Sequence, residues 1–158
     1  MKSVGAPFME DPSGVPSLSK SYPARPDSIP RARAVLGAFA AQAGASEEQQ
    51  ERVRLVVSEA VTNVVQHAYE GLPGQIHVTA AVDPRELLIM VADDGRGLSA
   101  NGGSPGLGFG LAWMAQFSDG MTLRARSGGG VEVRLRFDLS SAGASDAHGS
   151  DAEVAAVC

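Results

Sequence analysis

Valine and alanine recur three and four residues apart at Val53, Val56, Val57, Ala60, Val61, Val64, Val65 and Ala68, which gathers them on one broad arc of an α-helix. Ser46 is a candidate N-cap for that helix, and Glu47 and Glu48 fall in its first turn, where the helix dipole favours acid. The spacing predicts a helix from Ser46 to about Tyr69, stopped by Gly71-Leu72-Pro73-Gly74. An earlier helix is predicted from Ile29 to Ala43, with Asp27 or Ser28 as N-cap and Gly44 beyond its end. The period then changes to two. Ile76, Val78, Ala80 and Val82 alternate along a strand Gln75–Val82, and Asp83-Pro84-Arg85 turns the chain into Glu86–Ala92, apolar on both faces and therefore central. A glycine-rich stretch leads into a short helix, Leu107–Phe117, and then two strands, Met121–Arg126 and Val131–Leu139, joined by Gly128-Gly129-Gly130. The last strand sets Val131, Val133, Leu135, Phe137 and Leu139 against Glu132, Arg134, Arg136 and Asp138, one face for the core and one for water. Ser17–Pro23 fits an edge strand. The pattern predicts an α+β two-layer sandwich: helices on one face of a mixed, mostly antiparallel sheet.

The 158 residues suffice for one compact domain with flanks. Six of the nine prolines lie in residues 1–30, and residues 140–158 are dominated by Ser, Ala, Gly and Asp. We therefore expect a mobile segment over 1–20, a folded domain over 21–139 and a disordered acidic tail over 140–158. Cys158 is the single cysteine, so neither an intrachain disulfide nor a cysteine metal cluster is available. No apolar stretch approaches the roughly 20 residues of a membrane helix, and residues 1–20 lack a leader pattern, so a cytoplasmic protein is expected. The formal net charge of −5 leaves no basic footprint for direct binding of nucleic acid. Lysine occurs only at Lys2 and Lys20, outside the predicted fold.

Three places could carry chemistry. On the second helix, Glu59 and Asn63 lie four residues apart at the border of the apolar arc, and His67 continues their line. An acid and an amide at a core edge need satisfied hydrogen bonds, so they are either a solvated pair or a site. Next, Asp93-Asp94-Gly95-Arg96-Gly97 follows the central strand: an aspartate there can accept a hydrogen bond from an exocyclic amine, and glycines let backbone approach a ring. Third, Gly106-Leu107-Gly108-Phe109-Gly110 precedes a helix, where consecutive backbone N–H groups at the positive end of the dipole form an anion cradle. The row Arg124, Arg126, Arg134 and Arg136 is either a contact for an acidic partner or a solvated sheet face. Walker-type phosphate loops, protein-kinase signatures, H-E-x-x-H, G-x-S-x-G and G-x-G-x-x-G after a strand are all missing.

Taken in order, E-x-x-x-N on a helix, D-x-G-x-G after a strand and G-x-G-x-G before a helix resemble the signature boxes of the GHKL (histidine-kinase-like ATPase) superfamily. The finer match, Ser58-Glu-Ala-Val-Thr-Asn63-Val-Val-Gln-His67-Ala-Tyr69 with the glycine run and Phe117-Ser-Asp119, resembles the anti-sigma factor serine/threonine kinases, from about Tyr22 to Leu139. The resemblance implies the Bergerat ATP-binding fold and a kinase that uses ATP and Mg²⁺. Glu59 would then be the general base and Asn63 the Mg²⁺ ligand. Asp93 would read adenine in a pocket shaped by Gly95 and Gly97. Gly106, Leu107, Gly108, Phe109 and Gly110 would form the phosphate-facing turn, with His67 and Arg96 also in the nucleotide site. It further implies a STAS-like anti-anti-sigma protein as phosphoacceptor and a sigma factor as partner, with no membrane; a homodimer is left open. Two departures stand out. Leu98–Pro105 is short and has no Lys or Arg where relatives often carry a longer basic lid, and Val131 stands where the family often has Thr. They motivate an alternative, a non-catalytic nucleotide-sensing module that regulates a partner by docking. A sensor histidine kinase fragment ranks below both, because no histidine sits on a phosphoacceptor helix.

Overall fold

A computed structural model describes residues 9–10, 14–98 and 107–140. Its elements in chain order are strands β1 (Met9–Glu10) and β2 (Pro16–Pro23), helices α1 (Ser28–Gln42) and α2 (Glu47–Asn63), a π-helical turn (Val64–Ala68), strands β3 (Gln75–Asp83) and β4 (Glu86–Asp93), helix α3 (Leu107–Phe117), and strands β5 (Gly120–Ala125) and β6 (Val131–Asp138). The sheet runs β1-β2-β3-β4-β6-β5, and each described ladder is antiparallel, where a mixed sheet was expected. β4 is central, as its two-sided hydrophobicity predicted. Ser17–Pro23, expected as an edge strand, pairs with β3 in register, Leu18 opposite Ala80 and Tyr22 opposite Ile76, so the sheet takes in residues 17–20 of the segment expected to be mobile. Leu18 is buried, which explains the pairing: an apolar side chain in a serine-rich strand is seated on the helix-facing side. The expected tail over 140–158 lies outside the described residues, except Ser140.

α2 starts at the N-cap its sequence announced, Ser46, which Gln49 closes into a capping box. Ser46 Oγ accepts from the Gln49 amide at 3.2 Å, and Gln49 Oε1 accepts from the Ser46 amide at 2.9 Å. Gln49 Nε2 also donates to the Asp138 carbonyl at 2.7 Å, tying the helix start to the end of β6. The arc Val53, Val56, Val57, Ala60, Val61, Val64 and Ala68 is buried against Leu36 and Phe39 of α1 and Ile76, Ile89, Leu135 and Phe137 of the sheet. At roughly 25 cal/mol per Å² of apolar surface removed from water, this aliphatic layer is the main force holding helices to sheet.

Winding changes after Asn63. The predicted continuous helix to Tyr69 ends its α-type turn at residue 63, and Val64–Ala68 form one π-helical turn before Glu70 takes up a left-handed φ of 51°. On the outer sheet face Arg136 pairs with Glu86, Arg134 with Glu132 and Arg126 with Asp94. Three of the four arginines of the row are thus engaged within the chain. The row behaves as a charge-paired sheet face.

Candidate functional site

Glu59 and Asn63 emerge half-buried at the edge of α2, one turn apart, and His67 follows in the π-helical turn, also half-buried. Among the described residues, no hydrogen bond or ion pair engages the Glu59 carboxylate or the Asn63 carboxamide. Half-buried polar groups without partners are costly unless something outside the chain meets them. The solvated-pair reading needs both side chains in open water, and neither is.

α3 closes on this edge. A Cβ placed on Gly110 would lie 2.2 Å from Glu59 Oε1, so the helix reaches the carboxylate only because residue 110 has no side chain. The first and third sequence motifs are therefore adjacent in space. Gly106 lies outside the described residues, as do positions 99–105, which make up nearly all of the short lid. Leu107 and Gly108 open α3, and Phe109 points its ring to solvent at 82% exposure.

The second motif is joined to the π-helical turn. The Arg96 amide donates to the Ala68 carbonyl at 2.9 Å, and a Cβ on Gly95 would stand 2.1 Å from that same oxygen. A regular α-turn would keep the Ala68 carbonyl along the helix axis. The π-helical turn ends at Ala68 and its carbonyl is taken by the loop instead, in line with the habit of such turns to appear at functional sites. Arg96 otherwise reaches Glu70, with which it pairs.

Asp93 closes β4 with the same parity as Leu87, Ile89 and Val91, on the helix-facing side, and is buried. Its Oδ1 accepts from the Gly95 amide at 2.9 Å and the Val131 amide at 3.3 Å, and Oδ2 makes none of the described hydrogen bonds. Val131 thus serves the aspartate through its backbone although its side chain has no hydroxyl. Burial pushes the Asp93 pKa up, and the two amide bonds oppose that only in part. Gly130, at φ 91°, passes so close that a Cβ would be 2.0 Å from the Asp93 carbonyl, and Gly97 faces Gly130 across the loop.

One support escaped the sequence reading. Asp94 receives His77 Nε2 at 2.5 Å and pairs with Arg126, whose Nη1 also donates to the Asp93 carbonyl at 2.7 Å. The hydrogen bond from His77, ahead of that from Arg126, holds the Asp94 carboxyl below its usual range. The Asp94 amide donates to the Tyr69 hydroxyl at 2.9 Å, and that hydroxyl donates to the Gln75 carbonyl. Histidine in strand register with the residue before the aspartates was the available signal: His77 stands opposite Ala92.

The profile of the histidine kinase-like ATPase domain matches residues 22–137. The chain is 42% identical over 69 residues to an anti-sigma F factor of Shouchella clausii, a match covering 43% of this chain and 47% of that protein. It is 30% identical over 116 residues to an anti-sigma F factor of Clostridium acetobutylicum, covering 66% of this chain and 81% of that protein. A third anti-sigma F factor, from Caldanaerobacter subterraneus, is 32% identical over 115 residues, with 66% and 80% covered. The chain thus spans about half the length of the first of these relatives and about four fifths of the other two.

Proposed function

The chain belongs to the histidine kinase-like ATPase domain family, and from that premise we propose that it is an anti-sigma serine/threonine kinase of the cytoplasm. It binds ATP with Mg²⁺, phosphorylates a serine on an anti-anti-sigma protein and holds a sigma factor in a competing complex. Relatives named anti-sigma F factors support the regulatory part of this reading. No helix among the described residues is long and apolar enough to cross a membrane.

The donor set fits the nucleotide. Asp93 Oδ2 is open to an adenine amine while Oδ1 is anchored by backbone, which fixes the direction of approach. Asn63 offers a neutral oxygen suited to Mg²⁺, a cation that keeps most of its ligands as water and phosphate. Bound Mg²⁺ would supply charge neutralisation at the phosphates. Glu59 accepts the proton of the attacking serine hydroxyl, and the amides at the start of α3 face the phosphates. Gly95 and Gly97 shape the base pocket, with His67 and Arg96 at its border. Little covalent work is asked of the protein; positioning and charge do most of it.

One observation carries the reading: an acid and an amide one turn apart, unpaired among the described residues, with the acid against Gly110 in the first turn of α3. Labelled ATP, incubated with the chain and each purified anti-anti-sigma protein of the source genome, tests it. Transfer to one of them, abolished by Glu59→Ala with nucleotide affinity retained, is the expected result; wild-type transfer by that variant refutes the assignment. The engagement of Arg96 by Glu70 favours a second reading, a nucleotide-sensing module without turnover, because it removes the cation nearest the lid. Nucleotide binding with no transfer to any of the proteins would establish the module.

A further inference from the structure

α3 carries no charged residue from Leu107 to Phe117, yet three of the chain's eight aromatic side chains sit on it one turn apart: Phe109, Trp113 and Phe117. Phe109 is 82% exposed and Trp113 51%, with Trp113 stacked on Phe117 at 5.3 Å between ring centroids. On α2, Arg52 donates to the Phe117 carbonyl at 3.0 Å, and Glu59 abuts Gly110. The two helices therefore run antiparallel side by side. Leu55 lies between those two contacts, one turn before Glu59 on the same line, and it too is exposed, at 44%. Three of the six large exposed hydrophobic side chains among the described residues thus lie within one helical turn of Glu59 or of the Gly110 it abuts.

We propose that Leu55, Phe109 and Trp113 form the docking ridge for the protein that presents the acceptor serine, and that this protein bears an uncharged apolar patch beside that serine. The inference rests on the kinase reading above and adds the substrate's contact chemistry to it. Its occupant follows from position. A serine hydroxyl delivered to Glu59 arrives in contact with Gly110, and the protein carrying it must cover the surface one turn away on either helix. That surface has no charge to pair and has the aromatic composition of an interface centre. A solvated helix face would show the opposite composition, polar and charged.

Kinetics with the acceptor identified by the transfer assay test it. Trp113→Gln and Leu55→Gln, both compatible with helix, should each raise KM for the acceptor about tenfold, with kcat and ATP affinity within about twofold of wild type. Trp113→Phe should restore most of the loss, and Leu72→Gln, an exposed leucine in the turn before β3, should change nothing. Unfolding midpoints equal to wild type would separate docking from damage. Unchanged KM in both glutamine variants overturns the docking while leaving the kinase intact. So does a shift in oligomeric state by sedimentation without a KM change, which would give the ridge to a second copy. Absence of transfer to every anti-anti-sigma protein by wild type refutes the kinase reading, and the ridge assignment falls with it.

Discussion

The two ends of the site are built by opposite means. At the Asp93 end the contacts are mostly to or from backbone: Gly95 and Val131 amides on Oδ1, the Arg96 amide on Ala68, Gly130 against the Asp93 carbonyl, and the Arg126 guanidinium on that same carbonyl. At the Glu59 end two side chains stand without partners among the described residues, beside the uncharged helix α3. Recognition of a rigid base profits from the first construction, because little ordering remains to be done on binding. On the kinase reading proposed above, phosphoryl transfer profits from the second, since acceptor hydroxyl and cation must reach side chains that the described residues leave unengaged.

Substitution of glycine on each side breaks the comparison most directly. Gly95→Ala forces a methyl into a backbone carbonyl that the loop itself holds, and neither can yield alone. We expect about 3 kcal/mol of lost stability, read by denaturant unfolding, together with loss of nucleotide binding. Asp93→Asn keeps the shape and removes a charged acceptor, so ATP affinity by calorimetry should fall about 10- to 100-fold, or about 1.5–3 kcal/mol. Because burial raises the Asp93 pKa, wild-type affinity should fall on acidification at a higher pH than an exposed aspartate would dictate. Stability takes the other sign for this group: a raised folded pKa favours the protonated fold, so its contribution grows as pH falls through that pKa. Gly110→Ala meets only the far end of the Glu59 side chain. The fold should keep its unfolding midpoint while transfer drops about tenfold, about 1.4 kcal/mol, as the carboxylate is pushed aside. The smallest effect is expected from Asp94→Asn, which loses exposed pairs with His77 and Arg126, below about 1 kcal/mol. Asp94's lowered pKa gives stability above its unfolded pKa that is lost as pH falls through the folded one, so thermal unfolding of that variant should respond less to acid.

Legibility follows the same divide. The helix carrying Glu59 and Asn63, the strand ending at Asp93 and the helix starting at Leu107 were readable because each has its own periodicity and its own caps or turns. Their order then suggested one site, which the Glu59–Gly110 and Ala68–Gly95 approaches bring together. The π-helical turn was not readable. Val64-Val65-Gln66-His67-Ala68 continues an α-type pattern, and what competes for the Ala68 carbonyl is an amide 28 positions later in sequence. Ser17–Pro23 was readable as an edge strand, but the short pairing of Met9–Glu10 along its outer side was not, because two residues carry no periodicity. At α1, Asp27 precedes the helix without capping it, and Ser28 turns its hydroxyl to the Pro23 carbonyl at 2.6 Å. Composition offered both as caps, and packing against the strand end decided.

On the docking proposed above, the eleven residues of α3 without a formal charge also set how a partner is met in time. No long-range field from this helix draws a protein in or turns it before contact, so association through it belongs to the ordinary range of about 10⁵–10⁶ M⁻¹s⁻¹. Its rate should barely respond to added salt. Discrimination among competing proteins then resides in how long each stays once seated.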